Sequence, residues 1–333
     1  MTIPSILDTP RSELPFPEVV DNSMVSAFKK CEGAGYYSYI ENLSPTGTSV
    51  HLHAGGAFAY GIEHARKAFY VEGKPAEEAI GIGIAKLLAF YGDYECPPDS
   101  AKSALRMAGA LEFYFDTYKL GSDYLVPWTD GANHGIEFSF SLPMSISHPV
   151  SGQPILYAGR FDMLGVDQRS GVLFVDDEKT ATQLGTSWSN QWGLDSQFTG
   201  YCAGAKAYGK PVAGAIIRGV SILKTKYDTK EAVIYRSDWE IHRWWRETHK
   251  IVQRMIEIWR NGKDSIHDST IEWKLDKSAC GAYGGCAYQS LCNSPNPQTW
   301  KRANFEARVW HPMIHQEREA EVEALTQPKE TAV

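Results

Sequence analysis

The chain has 333 residues, a formal net charge of −7 and a hydrophobic share of 43%. That length suits one elaborated domain or a core with a helical annex, and the apolar share can fill a sizeable core. No apolar run approaches bilayer length and MTIPSILDTPRSELPFPEVVD has no signal-type apolar stretch, so a soluble, cytoplasmic protein with no membrane partner is expected. The acidic balance argues against a uniformly basic nucleic-acid binder, yet leaves room for a local basic groove.

Residues 1–22, rich in proline and acids, read as an extension, and Ser23 reads as the N-cap of a helix carrying Phe28 and Cys31. Further helices are expected over PAEEAIGIGIAKLLAFY, opened by Pro75, and over AKSALRMAGALEFYFDTY after the Cys96-Pro97-Pro98 turn. Residues 23–135 thus form a helical region. From Ile136 the pattern changes to strands in IEFSFSL, ILYAGRFDML and GVLFVDDEKT, where apolar and polar residues alternate between glycine-containing turns. A helix through SNQWGLDSQFTGYCAGAKAY and strands in VAGAIIRGVSIL and EAVIYR follow, so residues 136–262 read as an α/β core: a mixed central sheet flanked by helices. Residues 263–300 form a cysteine-rich segment, and 301–333 a tail ending in an acidic helix over HQEREAEVEALTQPKETAV.

The chemistry concentrates in the first strands of the core. Side chains alternate along a strand, so Asp177 and Lys179 share a face, Glu178 points away, and Asp162 can meet them from the partner strand. Two carboxylates and the Glu178 backbone carbonyl make a site for Mg²⁺ or Mn²⁺. Lys179 supplies a point charge that can orient a water or offset charge on a phosphoryl group. Glu137, one strand earlier, is a candidate third acid; a solvated edge charge is the alternative.

Asp162, then Asp177-Glu178-Lys179, then Gln197-Phe198-Thr199-Gly200-Tyr201 stand in an order that resembles the PD-(D/E)XK nuclease superfamily, in particular its RecB-like branch. Gln197 and Tyr201 sit one helical turn apart on a shared face. The resemblance implies a restriction-endonuclease-like fold, with the pair lying beside the catalytic lysine and the DNA. It also implies hydrolysis of DNA phosphodiesters to 5′-phosphate and 3′-hydroxyl ends, in recombination, repair or replication, with exonuclease action favoured over endonuclease. Many members present a metal-binding histidine in a Gly-x-x-x-His segment. Here Gly55 and Gly56 are followed by Ala59 or Tyr60 at that place, so either His64, one turn on, substitutes or carboxylates alone hold the ion.

Cys280, Cys286 and Cys292 recur at even spacing in CGAYGGCAYQSLC, and Cys31 is the natural fourth ligand, since iron-sulfur clusters and structural zinc usually take four. One N-terminal and three C-terminal cysteines flanking such a core look like the iron-sulfur nucleases of that branch, including the CRISPR-adaptation exonucleases and AddB-type helicase-nucleases. That likeness implies a [4Fe-4S] cluster, with zinc as the alternative and buried thiols as the plainer reading. The longer gap between Cys280 and Cys286 departs from the family pattern. Cys202 reads as a core residue.

In HRWWRETHKIVQRMIEIWR, Arg243, Arg246 and Lys250 recur at helical spacing beside Trp244. They could stack on and neutralise single-stranded DNA; an amphipathic helix with an aromatic core face and a solvated basic face is the rival reading. No Gly-x-x-x-x-Gly-Lys-Ser/Thr is present, so unwinding would fall to a partner. DNA, and a recombination or single-strand annealing or binding protein, are the partners expected, in the host cytoplasm where the gene belongs to a phage. Two other functions remain open: a non-catalytic DNA-binding or scaffold subunit of a recombination complex, and a zinc-stabilised nucleotide phosphoesterase.

Overall fold

The structure, a computed structural model, describes residues 10–47, 49–131, 133–264, 272–281, 285–308, 310 and 312. The acidic helix expected over 315–333 lies outside them. The described residues fall into two compact units, each assembled from segments distant in sequence: those within 10–47, 141–159 and 242–312 in the first, and those within 49–140 and 160–241 in the second.

The architecture is mixed α/β, with a mixed central sheet flanked by helices. Its strands are β1 (Val19–Val20), β3 (Leu125–Pro127), β4 (Ile136–Ser147), β5 (Pro154–Asp167), β6 (Leu173–Ala181), β7 (Val212–Ile222) and β8 (Tyr227–Tyr235); β2 (Leu43–Pro45) belongs to a separate pair. The main path runs β1-β5-β6-β7-β8, with β3 and β4 also paired to β5. β6 is antiparallel to β5 and parallel to β7, and β8 is antiparallel to β7. β6 is therefore interior to the sheet, and Phe174, Val175 and Asp176 to Glu178 are all buried along it.

In the second unit, α3 (Val50–Arg66), α4 (Ala76–Tyr91) and α5 (Ala104–Thr117) build the main apolar core. Phe58, Ile62, Leu87, Met107, Leu111 and Tyr114 from these helices close on Val220 and Ile222 of β7, and burial of each large side chain contributes roughly 1.5–3 kcal/mol. α3 and α4 approach closely because glycines face each other. A Cβ placed on Gly83 would stand 2.6 Å from the Gly61 carbonyl oxygen and 2.8 Å from the Ala65 methyl. Pro75 precedes α4 and Ser103 caps α5 through the Arg106 amide, close to the starts expected from sequence.

The helix expected over 189–208 is interrupted. It divides into α6 (Thr186–Asn190), a 3₁₀ turn at Gln191–Leu194 and α7 (Ser196–Ala207). Asp195 stops continuation by turning extended and accepting the Gln197 and Phe198 amides, which starts a new helix at Ser196. Gly204 of α7 lies flat on Phe140, leaving no room for a side chain.

In the first unit, α1 (Asn22–Lys30) begins one residue before the expected cap, because Asp21 accepts the Met24 amide and takes the role assigned to Ser23. α2 (Glu32–Tyr39) follows, and Cys31 forms the joint. α8 (Asp238–Asp264) is the long amphipathic helix expected from HRWWRETHKIVQRMIEIWR, with Val252, Met255, Ile256 and Trp259 on its buried face. The short helices α9 (Lys277–Cys280), α10 (Gln289–Cys292) and α11 (Pro297–Asn304) precede β9 (Phe305–Ala307), which pairs with β2; Tyr37, Leu43, Leu291 and Phe305 form their small core. The strands β1, β2, β3 and β9 were not anticipated, since two or three residues are too few to show an alternating pattern.

Gly83→Val should wedge α3 and α4 apart and cost about 1–3 kcal/mol, read as a lower midpoint of urea unfolding. An unchanged midpoint would show that the helix contact yields without loss.

Candidate active site

β6 presents acids to both of its faces, and the two sets are treated differently. On the face toward α3 and α5, Asp176 and Glu178 meet Arg66: its Nη2 lies 2.9 Å from Asp176 Oδ2 and 2.5 Å from Glu178 Oε1. The Tyr114 hydroxyl donates to the same Glu178 oxygen at 2.7 Å. Arg218 of β7 adds a second guanidinium, 3.6 Å from Asp176 and 2.6 Å from Asp123. Burial alone would push Glu178 up, but the Arg66 guanidinium and these donors hold it down to about 2. The Glu178 side chain is thus held chiefly by Arg66 and Tyr114, although it also acts on Asp162.

On the opposite set, Asp177 and Lys179 form an ion pair. Regular pairing of β5 with β6 runs from Val166 and Leu173 to Met163 and Asp176. At the next step the Asp162 carboxylate intervenes, its Oδ2 accepting the Glu178 amide at 2.9 Å. Asp162, Asp177 and Lys179 are thereby brought together. Burial pushes the Asp162 carboxyl well up, and Asp177, Glu178 and Glu137 add to it. Burial likewise raises Asp177 in spite of Lys179. Burial works against the Lys179 ammonium, but Asp177 and Asp162 hold it above the ordinary lysine range, so the amine stays charged.

Glu137 joins this group from β4. Burial pushes it up to about 8, opposed by Arg160 and reinforced by Glu63, and Arg160 Nε stands 2.8 Å from its carboxylate. Its backbone φ is 55°, a left-handed conformation that costs a side-chain-bearing residue about 1–3 kcal/mol. Such strain, at a half-buried acid among other acids, is what a functional position tolerates.

His64, the candidate histidine ligand, is engaged within α3. Its Nδ1 lies 2.8 Å from the Tyr60 carbonyl and its ring packs 4.1 Å from the Tyr60 ring. Burial lowers its pKa, and the charges that act on it are Glu63, Lys86 and Lys67. The residue of α3 that reaches toward the acids is its neighbour Glu63, buried, felt by Glu137 and paired with Lys67 at 2.5 Å. A buried acid amid alanines and glycines was the available signal. His53, two turns or more before His64 on α3, is stacked on Tyr94 at 4.2 Å with Nε2 2.9 Å from the Tyr91 carbonyl.

Gln197 and Tyr201 share a face of α7, and Gln197 Nε2 donates to the Tyr201 hydroxyl at 2.7 Å. Tyr201 packs on Phe161, one residue before Asp162, with ring centroids 5.5 Å apart. Phe198, between the pair, has its ring 5.7 Å from the Lys179 ammonium. The start of α7 therefore flanks the lysine.

Chemically the set suits a hard divalent cation. Buried carboxylates repel one another, and the buried Asp177 Oδ1 has no hydrogen bond besides its ion pair with Lys179. Among the described residues, no three His, Cys, Asp or Glu side chains are arranged to hold a metal ion as they stand. Each of the three acids has a partner: Lys179 engages Asp177, the Glu178 amide engages Asp162 and Arg160 engages Glu137. A cation would compete with these partners for oxygens already desolvated.

In the first unit, Cys31, Cys280 and Cys286 line one cavity of about 280 Å³. Burial pushes the Cys292 thiol up to about 11, with Cys31, Cys286 and Cys280 each adding to the shift, so the four thiols are electrostatic neighbours. All are free. Residues 282–284, between Cys280 and Cys286, lie outside the described residues. Cys202 is fully buried and pushed up to about 12 by burial, as a packing residue should be.

The basic helix face is separated from its tryptophan. Trp244 is buried, 5.2 Å edge-on to Tyr157, so it is not a stacking platform for bases. Of the two readings of this segment, the amphipathic helix with an aromatic core face is the one observed, because positions 244, 248, 252 and 255 all turn inward. Arg243, Arg246 and Lys250 are exposed, with Arg243 3.5 Å from Glu247, and Lys250 borders a 260 Å³ cavity with Lys29, Lys30, Arg254 and Lys274.

No family model matches the chain, and no curated protein matches it. Among solved structures it is similar to a candidate exonuclease from Eubacterium rectale, at 14% identity and a TM-score of 0.40, over 78% of this chain and 84% of that one. It is also similar to the protein SSO0001, at 12% identity and a TM-score of 0.26, over 59% and 74% of the two chains. Likenesses this loose assign no activity. Among the described residues, no helix is long and apolar enough to cross a membrane.

Arg66→Met should leave Asp176 and Glu178 buried without their guanidinium and cost about 3–5 kcal/mol in urea unfolding. Adding Glu178→Gln should recover part of the loss, and a neutral Arg66→Met would mean that the network contributes nothing.

Proposed function

We propose that this chain is a metal-dependent deoxyribonuclease of the PD-(D/E)XK type, hydrolysing DNA phosphodiesters and more suited to exonucleolytic than endonucleolytic action. The observation that carries the reading is the meeting of Asp162 and Asp177 with a charged Lys179. Asp162, Asp177 and the Glu178 carbonyl, with Glu137 as a further acid, would hold Mg²⁺ or Mn²⁺. When bound, that ion would polarise the phosphoryl group and make water a better nucleophile.

The chain's own residues then have separable roles. Lys179, protonated at neutral pH, cannot act as a base; it orients the attacking water or offsets charge accumulating on the phosphoryl oxygens. The Glu178 amide fixes one oxygen of Asp162, and Arg66, by holding the Glu178 side chain, sets the direction of the Glu178 carbonyl. The Gln197–Tyr201 pair borders Lys179 through Phe198 and positions the lysine or the strand being cut. Water attacks phosphorus in line, the 3′ oxygen departs with a proton, and 5′-phosphate and 3′-hydroxyl ends remain.

Single-stranded DNA, a recombination or annealing protein as partner and a cytoplasmic setting complete the reading. The four neighbouring thiols support a ligated metal centre, a [4Fe-4S] cluster before zinc, in a structural role. Such a centre would tie α1 to residues near 290 and restrict the unfolded chain.

With end-labelled single- and double-stranded DNA in Mg²⁺ or Mn²⁺, wild-type protein should release short products. Lys179→Ala and Asp177→Asn should each lower the rate by at least about 10²-fold while DNA binding in Ca²⁺ persists. Cleavage retained by Lys179→Ala would remove the mechanism. Anaerobically purified protein should carry about four irons per chain and a broad visible absorbance that Cys286→Ser abolishes, whereas colourless protein with one zinc would select the alternative.

A further inference from the structure

Lys102 is a lysine in an unusual position. It is 4% exposed, and among the described residues its ammonium makes one hydrogen bond, to Thr180 Oγ1 at 3.0 Å, and no ion pair. A buried ammonium normally finds a carboxylate, because desolvating an isolated charge is expensive. Of the arginines buried in this unit, Arg66 and Arg218 pair with carboxylates, and Arg236 instead donates through Nε, Nη1 and Nη2 to Thr199 Oγ1 and the Tyr235 and Trp192 carbonyls, which leaves Lys102 with the fewest partners for its charge. Burial lowers the Lys102 pKa, with no neighbouring acid opposing it. The site is therefore short of a negative charge.

Lys102 also borders an open cavity of about 440 Å³, with His51, Asp99, Thr182 and Lys224 on its wall. Asp99, the one acid there, makes no ion pair with Lys102. The cavity stands at the carboxyl end of β6: Thr182 follows Lys179 by three residues, roughly 10 Å along an extended chain. A strand held at Asp162, Asp177 and Lys179 would reach this cavity within a nucleotide or two.

We infer that this cavity is an anion subsite in which Lys102, assisted by Lys224, receives a phosphodiester flanking the one that is cut; the inference rests on the nuclease reading above. Lys102 is a positioning residue. It would act on substrates long enough to fill both places and be irrelevant to those that are not. A phosphate oxygen supplies the missing charge and accepts the ammonium protons that Thr180 leaves unused.

The test compares a single-stranded 20-mer with thymidine 5′-p-nitrophenyl phosphate, a substrate with a single phosphodiester. Lys102→Met should weaken 20-mer binding in Ca²⁺ by about tenfold, raise KM for its cleavage, and flatten the dependence of log affinity on log salt by about 0.7. Turnover of the nitrophenyl ester should stay at the wild-type rate, and the thermal midpoint should not fall, since methionine matches the lysine stem without a buried charge. Lys224→Glu, an exposed change on the same cavity, should weaken 20-mer binding in the same way and covers the case in which Lys102→Met fails to fold. Wild-type affinity and salt slope in both variants, with wild-type protein active, would overturn the subsite alone. Wild-type protein inactive on both substrates would overturn the nuclease reading and the subsite with it.

Discussion

The ion-pair network of Arg66 with Asp176 and Glu178 is the constraint on which the second unit depends. A strand carrying three acids in a row cannot lie inside a sheet unless at least some of its charge is answered there, because each desolvated carboxylate costs several kcal/mol. Arg66 answers two of the three, with Arg218 and Tyr114 beside it. Having been neutralised on one face, β6 can hold Asp177 and Lys179 on the other at a fixed position in the sheet interior. The structural and the chemical acids are interleaved in sequence and separated only by the alternation of a strand.

The carboxylates left over behave accordingly. Asp162, Asp177 and Glu137 are pushed up by burial and by neighbouring carboxylates, with Lys179 lowering the first two and Arg160 the third. Glu137 bears its share in a left-handed backbone conformation. Such a group is stable in two ways: by taking up protons, or by taking up a cation. In the proposed reading, the excess negative charge of this cluster and the positive charge of Lys102 are complementary, and a phosphodiester strand bound together with a metal ion would answer both.

The first unit follows a separate logic. Its core around Tyr37, Leu43, Leu291 and Phe305 is small, and short helices of four to eight residues are marginal by themselves. Cys31, Cys280 and Cys286 line one cavity there, with Cys292 an electrostatic neighbour, and in the proposed reading a ligated metal would cross-link these segments where the apolar contacts are few. Glu32 of α2, held by Arg254 of α8 and by the Lys274 amide, ties the same segments together by charge.

The order of strands and helices through the core was legible because period-two alternation and capping signals are local, and so was the pairing of Asp177 with Lys179, which follows from strand geometry. The Gln197–Tyr201 contact was equally readable, being one turn of a helix. Sequence could not identify Arg66 as the partner of Glu178, Glu63 as the acid of α3 that acts on Glu137, or which of the two readings of Trp244 holds. Each of these depends on which face of an element is covered by another element far away in the chain. Residue type and spacing determined which chemistry this protein can carry; only tertiary packing decided which charges are cancelled and which remain available, because burial, and not sequence distance, sets the strength of an interaction between charges.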